Sequence, residues 1–221
     1  MGWFLRIDRF SDSHLCFSQE REMSCGLASV KMIVFKVNKL RPGKDALVTE
    51  RKIENVYKKY DATAVDVGSE GVYVSMLSNV LNELDCGTWT HERPTNLAIP
   101  KKIIDNLGAD IIGGGLINTV KRGHPIILKV EWDSAGGIPG GSHAVVIDTV
   151  NKFPLANIYW GSICDPWDGD VHFTRLVTGH AIRYMPAEVT CSVNFRGVPE
   201  QGGFGKEPQA GTITEIVYRT D

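Results

Sequence analysis

The chain has 221 residues, of which 43% are hydrophobic, so it can bury a full core as one domain without disulfide or metal crosslinks. Its net charge of -2 and its short Lys/Arg clusters argue against a nucleic acid or an anionic membrane as the main partner. We find neither a secretory signal peptide nor an apolar run near the roughly 18 residues of a membrane span. Five cysteines without close pairs disfavour a disulfide framework and a zinc site, and we expect neither metal nor cofactor.

The first half of the chain has helical periodicity. Apolar residues recur at helical spacing over residues 25–37, 49–60 and 70–84, and we expect Thr49 to cap the second of these helices. A shorter helix is expected from Pro100, which suits a first helical position, and another over residues 116–120. Residues 1–123 are therefore predicted to form a mainly helical lobe.

After Pro125 the pattern changes to one typical of β-strands. We expect antiparallel strands at residues 126–132, 144–150, 158–164, 171–176, 181–184 and 213–218. Residues 124–221 are thus predicted to form a mainly β lobe. The predicted fold class is α+β, with residues 1–221 forming a single domain in which a helical lobe packs on an antiparallel sheet and a cleft lies between them.

One cysteine stands at the start of a predicted helix. Cys25 opens the helix at 25–37, where unpaired backbone N–H groups and the positive end of the helix dipole favour a thiolate. Gln19, six positions earlier, offers an amide N–H donor for an oxyanion. Cys16, with His14 nearby, is the competing cysteine. It precedes no helix and has no upstream amide donor, so we interpret it as structural.

A histidine and a carboxylate stand at the edges of two predicted strands. His143 opens a β-branched run, and Asp165 ends another run directly before Pro166. The order Cys, His, carboxylate provides a nucleophile, a general base and a group that orients the imidazole. Asp148 is a weaker candidate for the carboxylate, and Asp165 also suits an Asx-type turn. The remaining histidines after Cys25 are interpreted as surface or turn residues: His91, His124, His172 and His180.

At these positions the chain resembles the papain-like cysteine proteases. The resemblance rests on Gln19, Cys25, His143 and Asp165 in the family's order, with Asp165 where papain itself has asparagine. The motifs are most similar to those of compact bacterial members, namely double-glycine leader peptidases attached to bacteriocin exporters and secreted effector proteases. This similarity covers about residues 19–170, and the chain beyond Asp170 matches no motif of the family.

The resemblance implies a papain-like fold and a cysteine endopeptidase that uses Cys25, His143 and Asp165 as a triad, with Gln19 at the oxyanion hole. It also implies cleavage of a protein or peptide substrate after small residues, Gly or Ala. Two roles fit: an effector or toxin that cuts a target-cell protein and is covered by a cognate inhibitor or immunity protein, or a leader-peptide processing peptidase. We expect the protein in the cytoplasm of the producing cell, or in a target cell reached by a specialised secretion route.

Other functions remain open at the level of sequence. The same triad serves transglutaminases, acyltransferases and amidases, which differ in the acceptor rather than in these residues. A catalytically silent binding module on the same fold is a non-enzymatic alternative. It is disfavoured because all four positions carry the residues that the chemistry needs.

Overall fold

The structure is a computed structural model that describes residues 2–8, 10–38, 48–111, 123–133, 141–153, 158–185, 193–194 and 210–221. Its helices are α1 (Cys25–Asn38), α2 (Glu50–Tyr57), α3 (Val67–Glu70), α4 (Leu77–Glu83) and α5 (Ile99–Leu107), with a 3-10 turn at Val74–Met76. Its strands are β1 (Gly2–Ile7), β2 (Ser13–Ser18), β3 (Trp89–Glu92), β4 (Asp110–Ile111), β5 (Ile126–Trp132), β6 (Ser142–Lys152), β7 (Tyr159–Asp165), β8 (Asp170–Leu176), β9 (Arg183–Tyr184), β10 (Val193–Asn194) and β11 (Gly211–Arg219). None of the helices described is both long enough and apolar enough to cross a bilayer.

The strands form one large sheet and one small sheet. The large sheet has the order β3-β11-β5-β6-β7-β8, and all of these neighbours are antiparallel. In addition, β4 pairs in parallel with the end of β6, and β9 pairs antiparallel with the start of β11. The small sheet has the order β10-β1-β2 and is antiparallel. The prediction of an α+β protein with antiparallel strands is therefore confirmed.

Both faces of the large sheet are covered. Helices α1, α2 and α4 share one core with Ile127, Val146 and Val217, whereas α5 shares a second core with Val145 and Ile216. Neighbouring residues of one strand belong to different cores because successive side chains point to opposite faces of a sheet. Strands β5, β6 and β11 are thus buried on both sides. This burial explains the continuous apolar runs of β5 and β6.

The predicted helices are largely present. Helices α1, α2 and α5 begin within a residue of the positions predicted, and the Thr49 hydroxyl caps α2 by accepting the Lys52 N–H at 3.2 Å. The prediction of one continuous helix over 70–84 was wrong. Gly71 has a φ of 83° and ends α3, and the helix resumes only at Leu77. The helix predicted at 116–120 lies outside the described residues.

All six predicted strands are present, but the first half of the chain contains strands that its sequence pattern did not indicate. These are β1, β2, β3 and β4, to which the second half adds β10. β3 pairs with β11 of the large sheet, and β10 pairs with β1 of the small one. Each sheet therefore takes strands from both sides of residue 123.

Candidate active site

The loop before α1 holds Cys25 at the first position of the helix. The buried Ser24 hydroxyl donates to the Arg21 carbonyl at 2.9 Å and accepts the Arg21 N–H at 3.1 Å, while the Ser24 carbonyl accepts the Ala28 N–H at 2.9 Å. As the first helical residue, Cys25 has a backbone N–H without an intrahelical acceptor, and its sulfur lies at the positive end of the helix dipole. The Cys25 side chain is partly exposed.

His143 on β6 faces Cys25, because α1 packs against this strand, and the two side chains shift each other's pKa. The Ser29 hydroxyl of α1 donates to the Ala144 carbonyl at 3.2 Å, which fastens the helix to this strand. Burial alone would raise the pKa of the Cys25 thiol. The hydrogen bond and the positive charge of His143 outweigh burial and hold that pKa below its usual value.

Asp165, the last residue of β7, binds the other side of the imidazole. His143 Nε2 lies 2.7 Å from Asp165 Oδ1, which leaves Nδ1 as the ring nitrogen for Cys25. Both side chains are buried. Burial lowers the pKa of His143, but the negative charge of Asp165 outweighs burial and raises that pKa above its usual value. The His143 imidazolium in turn holds the pKa of Asp165 below its usual range, although burial raises it. The directions of these three pKa shifts favour a Cys25 thiolate beside a His143 imidazolium and an Asp165 carboxylate.

A turn fixes the Asp165 carboxylate. Its Oδ1 accepts the Trp167 N–H at 2.7 Å, and its carbonyl accepts the Gly169 N–H at 2.9 Å. The Asx-type turn expected from the sequence is thereby confirmed, and it leaves the same carboxylate directed at His143. The Pro166 carbonyl accepts the Gln19 N–H at 2.8 Å, which ties this turn to the loop that carries Cys25.

Three aromatic side chains enclose the imidazole–carboxylate pair. Trp132 stacks on His143 with ring centroids 5.7 Å apart, and Trp167 packs edge-on to it at 6.0 Å. The Tyr184 hydroxyl donates to Asp165 Oδ2 at 2.5 Å. We did not predict Trp132 or Tyr184 as site residues, because their contacts arise from strand pairing and carry no local motif.

Gln19 is fully buried in the loop before Cys25. Its Nε2 donates to the carbonyls of Arg21 at 2.9 Å and Glu22 at 2.6 Å, whereas Oε1 has no partner among the described residues. Both amide hydrogens are thus used inside the loop. In this conformation Gln19 stabilises the loop that precedes Cys25. An oxyanion role would require one of these two hydrogen bonds to break.

The competing candidates lie in a second polar cluster. His14 Nδ1 lies 2.8 Å from Asp148 Oδ2, and His14 Nε2 lies 3.0 Å from Asp8 Oδ2. Asp148 is therefore hydrogen-bonded to His14 rather than to His143.

The interpretation of His172 as a surface or turn residue was wrong: it is buried on β8, where Nε2 lies 2.8 Å from Asp168 Oδ2.

Two overlapping sets among the described residues have the composition of a metal site. They are His14 with Asp148 and Cys164, and His14 with Asp8 and Asp12. In the first set, however, the Lys36 ammonium lies 2.8 Å from Asp148 Oδ2, so a cation already compensates this carboxylate. Both nitrogens of His14 are also engaged with carboxylates.

Replacing His14 with glutamine is expected to lower the free energy of unfolding by about 3–5 kcal/mol, because Asp8 and Asp148 lose the cation between them. Burial lowers the pKa of His14, but its bonds to the two carboxylates raise it to about 11, against 6.5 for a free histidine. The stabilisation that protonated His14 provides is complete below pH 6.5 and is lost as the pH rises toward 11. Urea unfolding of the wild type and of His14→Gln across this pH range measures the difference in their free energies of unfolding. A difference that does not shrink with rising pH would contradict the prediction.

A scan of the chain against models of protein families gives no match, and a search among curated proteins gives none either. The case for a function therefore rests on the geometry around Cys25, His143 and Asp165.

Proposed function

We propose that the protein is a papain-like cysteine endopeptidase in which Cys25 is the nucleophile, His143 the general base and Asp165 the group that orients the imidazole. One observation carries the proposal: the imidazole that faces Cys25 and lowers the pKa of its thiol has its Nε2 2.7 Å from a buried carboxylate. A nucleophile within hydrogen-bond reach of a base that a third group orients is the arrangement of covalent acyl-transfer catalysis.

Before the substrate binds, the proton of Cys25 already lies on His143 Nδ1. The thiolate attacks the scissile carbonyl, and His143 then returns the proton to the leaving amine. A water molecule, deprotonated by His143, releases the acyl group from sulfur. Asp165 remains ionised throughout, because its role is to hold the imidazole in one orientation and to stabilise its positive charge.

The backbone N–H of Cys25 is the first donor to the oxyanion, since it has no intrahelical acceptor and lies beside the sulfur. Gln19 becomes the second donor when substrate binding draws Nε2 away from the Glu22 carbonyl. Trp132 and Trp167 keep water from the bond between His143 and Asp165, which strengthens that bond by lowering the local dielectric constant.

The substrate is proposed to be a protein or peptide cut after Gly or Ala, in keeping with the resemblance to compact bacterial members of the superfamily. In the effector role, the partner in the producing cell is an inhibitor or immunity protein that covers Cys25. In the processing role, the substrate is a leader-bearing peptide. Toxicity on cytoplasmic expression that Cys25→Ala relieves would assign the effector role.

A peptide library incubated with the purified full-length protein tests the hydrolase and its specificity together. We expect cleavage after Gly or Ala that is absent from the Cys25→Ala protein. A preference for bulky residues would contradict the proposed specificity for Gly or Ala. Equal cleavage by the wild type and the Cys25→Ala protein would contradict the proposed mechanism. An acyl-enzyme that an added amine resolves faster than water would assign a transferase instead.

Tyr184→Phe is expected to lower kcat about tenfold with little change in KM, because the second oxygen of Asp165 loses its charge-assisted hydrogen bond. The pKa of Asp165 should also rise, since this bond helps to keep it low. The acid limb of the kcat–pH profile should therefore move to higher pH. A profile identical to that of the wild type would show that Tyr184 does not position the carboxylate.

A further inference from the structure

A second cysteine lies in a charged environment that the proposed reaction does not use. Cys164 on β7 is fully buried, and its sulfur lies 3.5 Å from the Lys36 ammonium of α1. Lys36 also binds Asp148 Oδ2 at 2.8 Å, and Asp148 in turn binds His14. Cys16 of β2 is also fully buried and belongs to the same core cluster as Cys164, since β2 packs against β7. We call this group the buried thiol cluster: Cys16, Cys164, Lys36, Asp148, His14 and Asp8.

The charges of the buried thiol cluster alternate in sign when Cys164 is a thiolate. The carboxylate of Asp8, the imidazolium of His14, the carboxylate of Asp148 and the ammonium of Lys36 follow one another at hydrogen-bond distances. A negative Cys164 sulfur, 3.5 Å from the Lys36 ammonium, completes the series. The hydrogen bond from Cys16 and the charge of Lys36 hold the pKa of Cys164 below its usual value, whereas burial raises that of Cys16.

A cavity of about 570 Å³ leads to the cation of the cluster. Lys36 and Asp148 lie in its wall together with Leu5, Leu15 and Phe35. The cavity is large enough for small solutes, and Lys36, which lines it, has its ammonium 3.5 Å from the Cys164 sulfur. Movement of one flexible lysine side chain would therefore give a small oxidant access to a sulfur that is otherwise enclosed.

We propose that Cys164 is a second reactive thiol, oxidised by hydroperoxides, and that Cys16 is its resolving thiol. The Cys164 thiolate attacks the peroxide, so that an S–O bond forms, the O–O bond breaks and an alcohol or water leaves with a proton. Cys16 then attacks the resulting sulfenic acid, forming the S–S bond and releasing water. Two thiols and one hydroperoxide thus give one disulfide, one alcohol or water and one further water. The proposal does not depend on peptidase activity.

The same cluster also contains three of the side chains that a zinc site would use, namely His14, Asp148 and Cys164. The observations favour the thiol pair because a lysine ammonium already lies against both Asp148 and Cys164. A zinc ion would have to expel that ammonium and deprotonate His14 between two carboxylates. Zinc binding is therefore the outcome that would contradict the proposal most directly.

The experiment uses the full-length Cys25→Ser protein, so that the proposed nucleophile does not react. The reduced protein is exposed to a small excess of hydrogen peroxide at neutral pH and digested without reductant. We expect a peptide pair joined through Cys16 and Cys164 that dithiothreitol separates. Cys86 is the matched control, since it is also buried and burial raises its pKa to about 12. Oxidation of Cys86 before Cys164, or oxidised Cys164 without a bond to Cys16, would overturn the proposal.

Two variants separate the chemistry from folding. Lys36→Met should slow oxidation of Cys164 roughly tenfold or more at neutral pH, and Lys36→Arg should retain most of the rate, because the cation favours the thiolate. Cys16→Ser should allow a dimedone adduct to accumulate on Cys164 in place of the disulfide. Circular dichroism identifies variants that remain folded. Unchanged oxidation in folded Lys36→Met protein, or Cys164-dependent binding of added zinc at micromolar concentration, would reject the assignment.

Discussion

Cys25→Ala is expected to abolish turnover, with kcat/KM falling at least about 10⁴-fold, because the reaction loses the atom that forms the acyl-enzyme. The other described cysteines contact other groups: the Asp170 carbonyl for Cys16, the Leu84 carbonyl for Cys86 and the Lys36 ammonium for Cys164. Removing the sulfur also removes the group that His143 activates, so the histidine and the carboxylate cannot compensate. The measurement is hydrolysis of the best peptide from the library by equal amounts of folded protein.

Cys86→Ala is the matched control for this variant. Cys86 is a buried thiol whose pKa burial raises to about 12, and its sulfur contacts the Leu84 carbonyl rather than the triad. Its replacement should leave kcat/KM within about twofold of the wild type. Activity in Cys25→Ala within tenfold of the wild type would remove Cys25 from the mechanism.

Asp165→Ala is expected to reduce kcat about 10²-fold, less than the loss of Cys25, because the nucleophile and base remain while the imidazole loses its orientation and its counter-charge. Asp165→Asn should be milder, with a loss of about tenfold. An asparagine oxygen still accepts the His143 N–H, but it brings no negative charge. The ratio of the kcat values of Asp165→Asn and Asp165→Ala therefore separates the effect of orienting the imidazole from the effect of stabilising its positive charge.

Asp148→Asn tests the competing carboxylate. Asp148 binds His14 and Lys36, so its change should lower the melting temperature without lowering kcat more than about threefold in the folded protein. If Asp148→Asn reduced kcat as much as Asp165→Ala does, the orienting role of Asp165 would be untenable.

Much of the secondary structure, and three residues of the candidate site, could be proposed from the sequence because their signals are local. Helix α1 follows from apolar spacing, and α2 follows from spacing together with the Thr49 cap. His143 and Asp165 could be proposed because each stands where an apolar run meets glycine or proline. Their mutual hydrogen bond joins β6 to β7, which pair directly in the sheet.

Strand β1 could not be predicted because its burial is the reverse of the usual pattern. Trp3, Leu5 and Ile7 are partly exposed, whereas the charged residues Arg6 and Asp8 are buried. Arg6 donates to the Gly169 carbonyl at 3.1 Å, and Asp8 accepts from Ser162 at 2.7 Å. Buried charges need such partners, and these lie more than 150 positions away along the chain.

The orientation of the Gln19 side chain could not be predicted from the sequence. Its six-residue offset to Cys25 supports an oxyanion role, but the offset says nothing about the direction of the amide. The structure directs Nε2 to the carbonyls of Arg21 and Glu22. Tyr184 could not be predicted for a related reason, since it reaches Asp165 only through the folding of β9 beside β8 and β11.

The pH dependence of Cys25 alkylation tests the central claim most directly, because it requires no knowledge of the substrate. Iodoacetamide is applied to the native protein at several pH values, and mass spectrometry follows the Cys25 peptide separately from that of Cys164. If His143 holds Cys25 as a thiolate, the rate should change little between about pH 6 and pH 8, and His143→Ala should lower it at pH 6. A rate that falls about tenfold for each pH unit below about 8.5, as for an ordinary thiol, would contradict the account.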